Sequence, residues 1–186
     1  MTYVTFPFKS FLKHFRDDTK GTVAIEAVII VPALFWAFLA MAVFFDMYKT
    51  RSSTEKAAFT ISDMLSRETA AVNEAYINNA MSLFESMSKL DNVDALRISV
   101  IAYDSSDDEH SLDWSFGTGL DTGLAEADLV TLKDKLPVMV DGERLILVQS
   151  FGTYDPPVNI GMNNISMNTF VFTRPRFAPQ LAWSAS

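Results

Sequence analysis

The strongest pattern in the chain is an uninterrupted apolar run near its start. Residues 27–45 read AVIIVPALFWAFLAMAVFF, with no charged or strongly polar side chain. A helix rises about 1.5 Å per residue, so this run would extend about 28 Å, close to the thickness of a bilayer's hydrocarbon core. A buried helix of a soluble domain is usually shorter or has a polar face, and this run has none. The pattern therefore predicts a transmembrane helix over residues 22–45.

Helical periodicity continues beyond the apolar run and then appears a second time. We predict one helix from Thr22 to about Leu65, because apolar residues keep recurring at spacings of three and four. A second amphipathic helix is predicted between residues 72 and 90. Its expected core-facing stripe consists of Val72, Tyr76, Ala80, Leu83, Met87 and Leu90.

The later part of the chain has the pattern of a small sheet. Residues 96–103, 144–151 and 170–173 are rich in β-branched and aromatic side chains and are predicted to be strands. Residues 104–123 hold most of the turn formers and are predicted to be an exposed loop, and residues 124–136 a short helix. Consecutive strands without long intervening helices favour an antiparallel sheet packed on the two helices. The fold class predicted for residues 46–186 is therefore α+β.

Charge is distributed unevenly on the two sides of the apolar run. The basic residues Lys9, Lys13, Arg16 and Lys20 precede it, which predicts a cytoplasmic N-terminus and a domain on the outer side of the membrane. Residues 46–186 carry 20 acidic and 11 basic side chains, and the whole chain has a formal net charge of -8. This acidic balance argues against nucleic acid as a partner, because binding to phosphates needs a basic surface.

The junction before the apolar run contains the most specific motif. Residues 16–34 read RDDTKGTVAIEAVIIVPAL, in which a charged stretch ends at Gly21. Glu26 follows at the edge of the apolar run, where a carboxylate is costly and needs a partner. Pro32 lies inside the run, lacks an amide hydrogen and clashes with the carbonyl group of residue 28, so we expect it to kink the helix.

This junction resembles the N-terminus of TadE-like proteins, the pilin-like (pseudopilin) components of the tight-adherence, or Flp-type, pilus machinery. The resemblance implies that residues 1–21 are a basic cytoplasmic leader and that prepilin peptidase cuts after Gly21. Thr22 would then be the new N-terminus and Glu26 the fifth mature residue. The family often has an aromatic residue directly after that glutamate, where this chain has Ala27.

The resemblance also gives Glu26 a role in assembly. Cleavage would create an α-ammonium group four residues from Glu26, about 6 Å along a helix. In a filament, the carboxylate would instead meet the ammonium group of a neighbouring subunit and fix the axial register between the two. At a distance of 4 Å and an effective dielectric constant near 20, this attraction is on the order of 4 kcal/mol before desolvation. The alternative is that Glu26 lies in the headgroup layer and pairs with Lys20 or water.

Few residues suit catalysis or cofactor binding. The chain has no cysteine and only two histidines, His14 and His110, which excludes thiol chemistry and leaves little for imidazole chemistry. Residues 107–110 read Asp-Asp-Glu-His, but metal ligands must converge from fixed positions, so we interpret this cluster as a solvated acidic loop. No phosphate-binding loop or nucleophile elbow is present. We therefore predict no catalytic residue, cofactor or metal.

The function predicted from this architecture is structural rather than enzymatic. The resemblance implies a minor pilin-like protein of the bacterial inner membrane, needed to assemble or secrete a tight-adherence pilus. Its expected partners are inner-membrane lipid, prepilin peptidase, and other pilin-like subunits or the pilus secretion platform. One alternative is an envelope accessory protein of the same machinery that keeps its leader. A second, less favoured alternative is an envelope enzyme with a helical anchor.

Overall fold

The computed structural model describes residues 21–185 and divides the chain into two compact units at the boundary between Val43 and Phe44. Helix α1, Thr22–Ser66, contributes residues to both units, and its bounds confirm the prediction of one helix from Thr22 to about Leu65. Of the predicted leader, only Gly21 lies within the described residues.

Helix α2, Glu74–Ser88, begins at a side-chain cap. The Asn73 carboxamide oxygen accepts a hydrogen bond from the Tyr76 amide at 3.0 Å, which satisfies one of the free donors at the helix start. Its buried face consists of Ile77, Ala80, Met81, Phe84 and Ser88. The predicted stripe was therefore partly wrong, because Leu83 is 39% exposed and the core-facing surface is centred on Phe84 instead.

Five antiparallel strands form the sheet: β1 Asn92–Asp104, β2 Glu109–Gly119, β3 Arg144–Tyr154, β4 Ile165–Ser166 and β5 Thr169–Thr173. Strand β1 lies between β2 and β3, and both β4 and β5 pair with the remaining side of β3. Three of the five were predicted as strands, so the expected α+β class with a small antiparallel sheet is confirmed.

The prediction of a loop over residues 104–123 was wrong, because β2 occupies most of that segment. Leu112, Trp114 and Phe116 alternate with polar residues, and all three are partly buried. Turn formers are concentrated instead at the two ends of β2. Gly119 at one end has φ 75, and a Cβ atom there would lie 2.2 Å from the Asp94 carbonyl oxygen, so the close approach to β1 requires glycine.

The domain buries apolar side chains on both faces of the sheet. On one face, α1 and α2 pack on β1, β3 and β5 through residues such as Ile61, Phe84 and Ile98, each fully buried. On the other face, Ile101 and Leu147 pack beneath a short helical segment that includes Leu129 and Leu132. Helix α3, Leu129–Leu132, lies between two 3₁₀ turns in this segment and is shorter than the helix predicted over residues 124–136.

Candidate functional site

The predicted processing site lies at the start of α1. Gly21 is exposed and directly precedes Thr22, the first residue of the helix. A Cβ atom added at Gly21 would meet no other atom within 4 Å. A small side chain therefore fits at this position without disturbing the described part of the chain. The remaining residues of the predicted leader, including its four basic side chains, lie outside the described residues.

Glu26 is exposed on α1, four residues after Thr22. Residues four apart lie on the same face of a helix, about 6 Å apart along its axis. Within residues 21–185, the Glu26 carboxylate has no hydrogen-bond or ion-pair partner. The carboxylate therefore remains available to an amine or another donor outside this part of the chain.

Pro32 lies inside α1, and the helix continues on both sides of it. The amide hydrogen that proline lacks leaves the carbonyl group of Val28 without its usual helical donor. The bounds of α1 do not show whether the helix bends at Pro32. The structure therefore confirms that this position is helical and leaves the kink as a prediction.

The first part of α1 carries apolar side chains on all sides. Val28, Phe35 and Phe38 are 71%, 62% and 65% exposed, and Trp36 is 58% exposed. The most apolar window of this helix is only 11% buried. Helix α1 is the one helix within the described residues that is long and apolar enough to cross a membrane. Residues 23–38 are all exposed, and an apolar surface exposed on every side is the pattern expected of a helix surrounded by lipid.

An interaction at the other end of the apolar run was not predicted from the sequence. The Tyr154 hydroxyl, at the end of β3, donates a hydrogen bond to the Asp46 carboxylate at 2.9 Å. Tyr154 is only 2% exposed, and burial together with this bond raises the pKa of Tyr154 to about 12. This hydrogen bond therefore joins α1, near the start of the second unit, to strand β3 of the sheet.

The acidic cluster at residues 107–110 lies at the turn between β1 and β2. Asp107, Asp108 and Glu109 are exposed, as predicted, although Glu109 already belongs to β2. Asp108 accepts hydrogen bonds from the Tyr103 hydroxyl and the Lys133 ammonium group, each at 2.9 Å. The bond from Lys133 connects the turn to the short helical segment that contains α3 and packs on the sheet opposite α1 and α2.

The same bonds change the acidity of the groups involved. The hydrogen bond from Lys133 lowers the pKa of the Asp108 carboxyl and raises the pKa of the Lys133 ammonium group. The pKa of His110 is lowered because burial disfavours its charged form. Within residues 21–185, no group of three or more histidine or carboxylate side chains is placed to hold a metal ion. The arrangement is that of a surface turn held by one ion pair and one hydrogen bond from a tyrosine.

An aromatic cluster joins residues that are far apart in the sequence. The Trp183 ring lies 5.1 Å from Trp114 and 5.0 Å from Phe116, measured between ring centroids. The Trp114 indole donates a hydrogen bond to the Leu181 carbonyl oxygen at 2.7 Å. Val72 also exchanges backbone hydrogen bonds with this final segment. The cluster packs the end of the described chain against the domain. In the sequence, only the alternation of apolar and polar residues in β2 indicates that Trp114 and Phe116 face a core.

No family model, curated protein or solved structure matches this chain. The resemblance to TadE-like proteins therefore depends on the junction motif itself, and it remains a prediction.

Proposed function

We propose that this chain is a membrane-anchored minor pilin-like protein, needed to assemble or secrete a tight-adherence pilus. In this proposal, α1 anchors the chain in the bacterial inner membrane, and prepilin peptidase removes the leader after Gly21. The protein is a substrate of that peptidase and has no catalytic role of its own. Its domain contacts other pilin-like subunits or the secretion platform on the outer side of the membrane.

The observation that carries the proposal is the isolated carboxylate of Glu26. It is the only charged side chain between residues 22 and 45, and it has no partner within the described residues. Its position, four residues after Thr22, suits an α-ammonium group created by cleavage after Gly21. A charged group in such an apolar setting is expensive to leave unpaired, so a new cation from the same or a neighbouring subunit would stabilise it.

Two further features support the proposal. The apolar surface of residues 23–38 suits both lipid and the packed helices of a filament, because these residues are exposed on all sides of α1. The domain of residues 46–186 is also long compared with a major Flp subunit, which in that family is little more than the helix. This size favours a minor or initiating role over that of the main filament subunit.

The first experiment is intact-mass analysis of the native protein extracted from membranes. We expect a chain that begins at Thr22, because the peptidase would remove the first 21 residues. Replacing Gly21 with Ala should preserve cleavage, whereas Gly21→Leu should block it because the peptidase requires a small residue there. A full-length chain that supports normal pilus formation would contradict the maturation proposal and favour the accessory protein that keeps its leader.

A second experiment tests Glu26 directly. Glu26→Ala should leave membrane insertion and cleavage intact but strongly reduce pilus assembly, because the new ammonium group loses its carboxylate partner. Glu85→Ala is the control, since Glu85 is an exposed glutamate on α2 whose carboxylate has no partner within the described residues. Normal assembly in the Glu26 variant would contradict the register role.

A further inference from the structure

Within the described residues, both edges of the sheet have one unpaired side, formed by β2 on one edge and by β4 and β5 on the other. Strands β4 and β5 pair with β3 on one side, and within residues 21–185 no strand pairs with their other side. We call this side of Ile165–Thr173 the outer edge. A free strand edge presents unpaired backbone N–H and C=O groups, which can receive an added strand from another chain. The outer edge is therefore a potential site for an extended peptide segment.

A cavity lies beside each end of the outer edge. The first, of about 250 Å³, is lined by Ser166–Thr169 together with Arg51, Thr54 and Glu55 of α1. The second, of about 320 Å³, is lined by Phe172, Pro137 and Leu145, with Arg174 and Arg176 at its border. Phe172 is 43% exposed although it is a large apolar residue. The second cavity thus provides an apolar contact for a side chain of an added strand.

Exposed arginines border both cavities. Arg51, Arg174 and Arg176 expose 70%, 56% and 58% of their side chains. Each pairs with a carboxylate of the domain, namely Glu55, Glu143 and Asp63 respectively. Exposed ion pairs contribute little free energy, so these arginines can also bind carboxylates from a partner. Three exposed arginines that can exchange weak ion pairs along one strand edge favour a partner that carries carboxylates.

We propose that the outer edge binds an extended segment of a partner protein, with apolar side chains in its middle and a carboxylate at each end. The distance from Thr169 to Arg174 is about 17 Å for an extended strand, which corresponds to five to seven residues of an added strand. Backbone hydrogen bonds to β5 would hold the segment. Phe172 would contact its apolar side chains, and the arginines would contact its ends.

A second copy of this chain fits the edge less well. Antiparallel pairing of two β5 strands about a two-fold axis places Arg174 of one copy near Arg51 of the other, which brings like charges together. The proposal does not depend on the pilin-like function, because it concerns a binding surface of the domain alone.

The experiment uses the full chain in nanodiscs of neutral phospholipid, so that anionic lipid does not compete for the arginines. The probe is the fluorescein-labelled peptide Asp-Val-Thr-Leu-Thr-Val-Asp, whose symmetric sequence places a carboxylate at each end in either strand direction. Fluorescence anisotropy should show saturable binding. Two control peptides, one with lysine at both ends and one with N-methylated backbone amides, should each bind at least about tenfold more weakly, because they lose the charge or backbone contacts.

Matched variants and hydrogen exchange locate the binding surface. Arg176→Gln should weaken binding of the peptide about fivefold or more, while Arg67→Gln should not, although both arginines pair with Asp63 and are similarly exposed. Peptide binding should also slow amide exchange within residues 169–173. Both variants should keep the circular dichroism spectrum of the parent chain.

Four results would overturn the proposal. Equal affinity of the N-methylated peptide would exclude strand addition, and equal loss in the two arginine variants would show only a general charge effect. Unchanged exchange in residues 169–173 would place the peptide elsewhere. Self-association of the chain that blocks peptide binding would identify a second copy as the occupant instead.

Discussion

The two parts of helix α1 place the same kinds of side chain in opposite surroundings. In the first part, Ile29 and Leu34 are 68% and 63% exposed, whereas Ile61 and Leu65 in the second part are fully buried. The second part has polar residues on its remaining face and a protein core to pack against. The first part is apolar on all sides and has no such core. Apolar composition alone therefore does not build a domain, because burial needs a partner surface as well.

The largest expected effect concerns the first part of the helix. The double variant Leu34→Arg with Phe38→Arg should release the chain from membranes, because each arginine at the centre of a membrane helix costs about 2.5–3.5 kcal/mol. Vesicle flotation would measure the membrane-bound fraction. The matched double alanine variant should stay bound. If the arginine variant floats with the vesicles as the parent does, this part of α1 is not a membrane span.

A core substitution in the second part should act on the domain instead. Ile61→Ala should lower the free energy of unfolding by about 2–4 kcal/mol, because it leaves a cavity among fully buried side chains. Ile29→Ala should leave the unfolding of the domain unchanged. Denaturant titration of both variants in detergent micelles, followed by circular dichroism, would compare them. Similar losses in the two variants would contradict the separation between the two parts of the helix.

The hydrogen bond between Tyr154 and Asp46 should have a smaller effect. Tyr154→Phe should reduce the free energy of unfolding by about 1–2 kcal/mol, because it removes a hydrogen bond from a buried hydroxyl to a charged carboxylate. Tyr48→Phe is the control, since Tyr48 is 69% exposed and has no partner within the described residues. The same titration measures both. An unchanged midpoint for Tyr154→Phe would mean that water replaces the lost donor.

The smallest expected effect is a pH dependence at the β1–β2 turn. The pKa of Asp108 is lowered in the folded chain, so its contribution to stability is complete above the ordinary carboxyl value of about 3.9 and is lost as pH falls through the lowered value. Lys133→Met should return this pKa toward its ordinary value, which carboxyl NMR titration would detect. An unchanged titration would show that the Tyr103 hydroxyl alone maintains the shift.

Much of the fold follows from local patterns. The end of α1 could be predicted to within a residue from the helical period, whereas its start at Thr22 was placed from the junction motif. Strand β3 was predicted from the apolar run of residues 145–148, all of which are buried between two layers. In these segments one local hydrophobic pattern predicts the secondary structure, and tertiary contacts do not alter it.

Other features depend on contacts that local patterns do not show. Strand β2 combines glycine, serine and aspartate with alternating Leu112, Trp114 and Phe116, and its pairing with β1 decides between strand and loop. The buried face of α2 differs from the predicted stripe because two neighbouring residues, Ala80 and Met81, both face the core. Gly21 and Glu26 could be singled out only from the junction motif, since their proposed roles involve a peptidase and neighbouring subunits.

The tryptophans also provide two separate optical signals for the two units. Trp183 and Trp114 are close enough to give near-ultraviolet circular dichroism that depends on their fixed geometry, as expected for a well-packed aromatic pair. Trp36, in contrast, should respond in its fluorescence to brominated lipid, since it belongs to the exposed apolar helix. A single unlabelled sample therefore allows domain integrity and lipid contact to be followed independently.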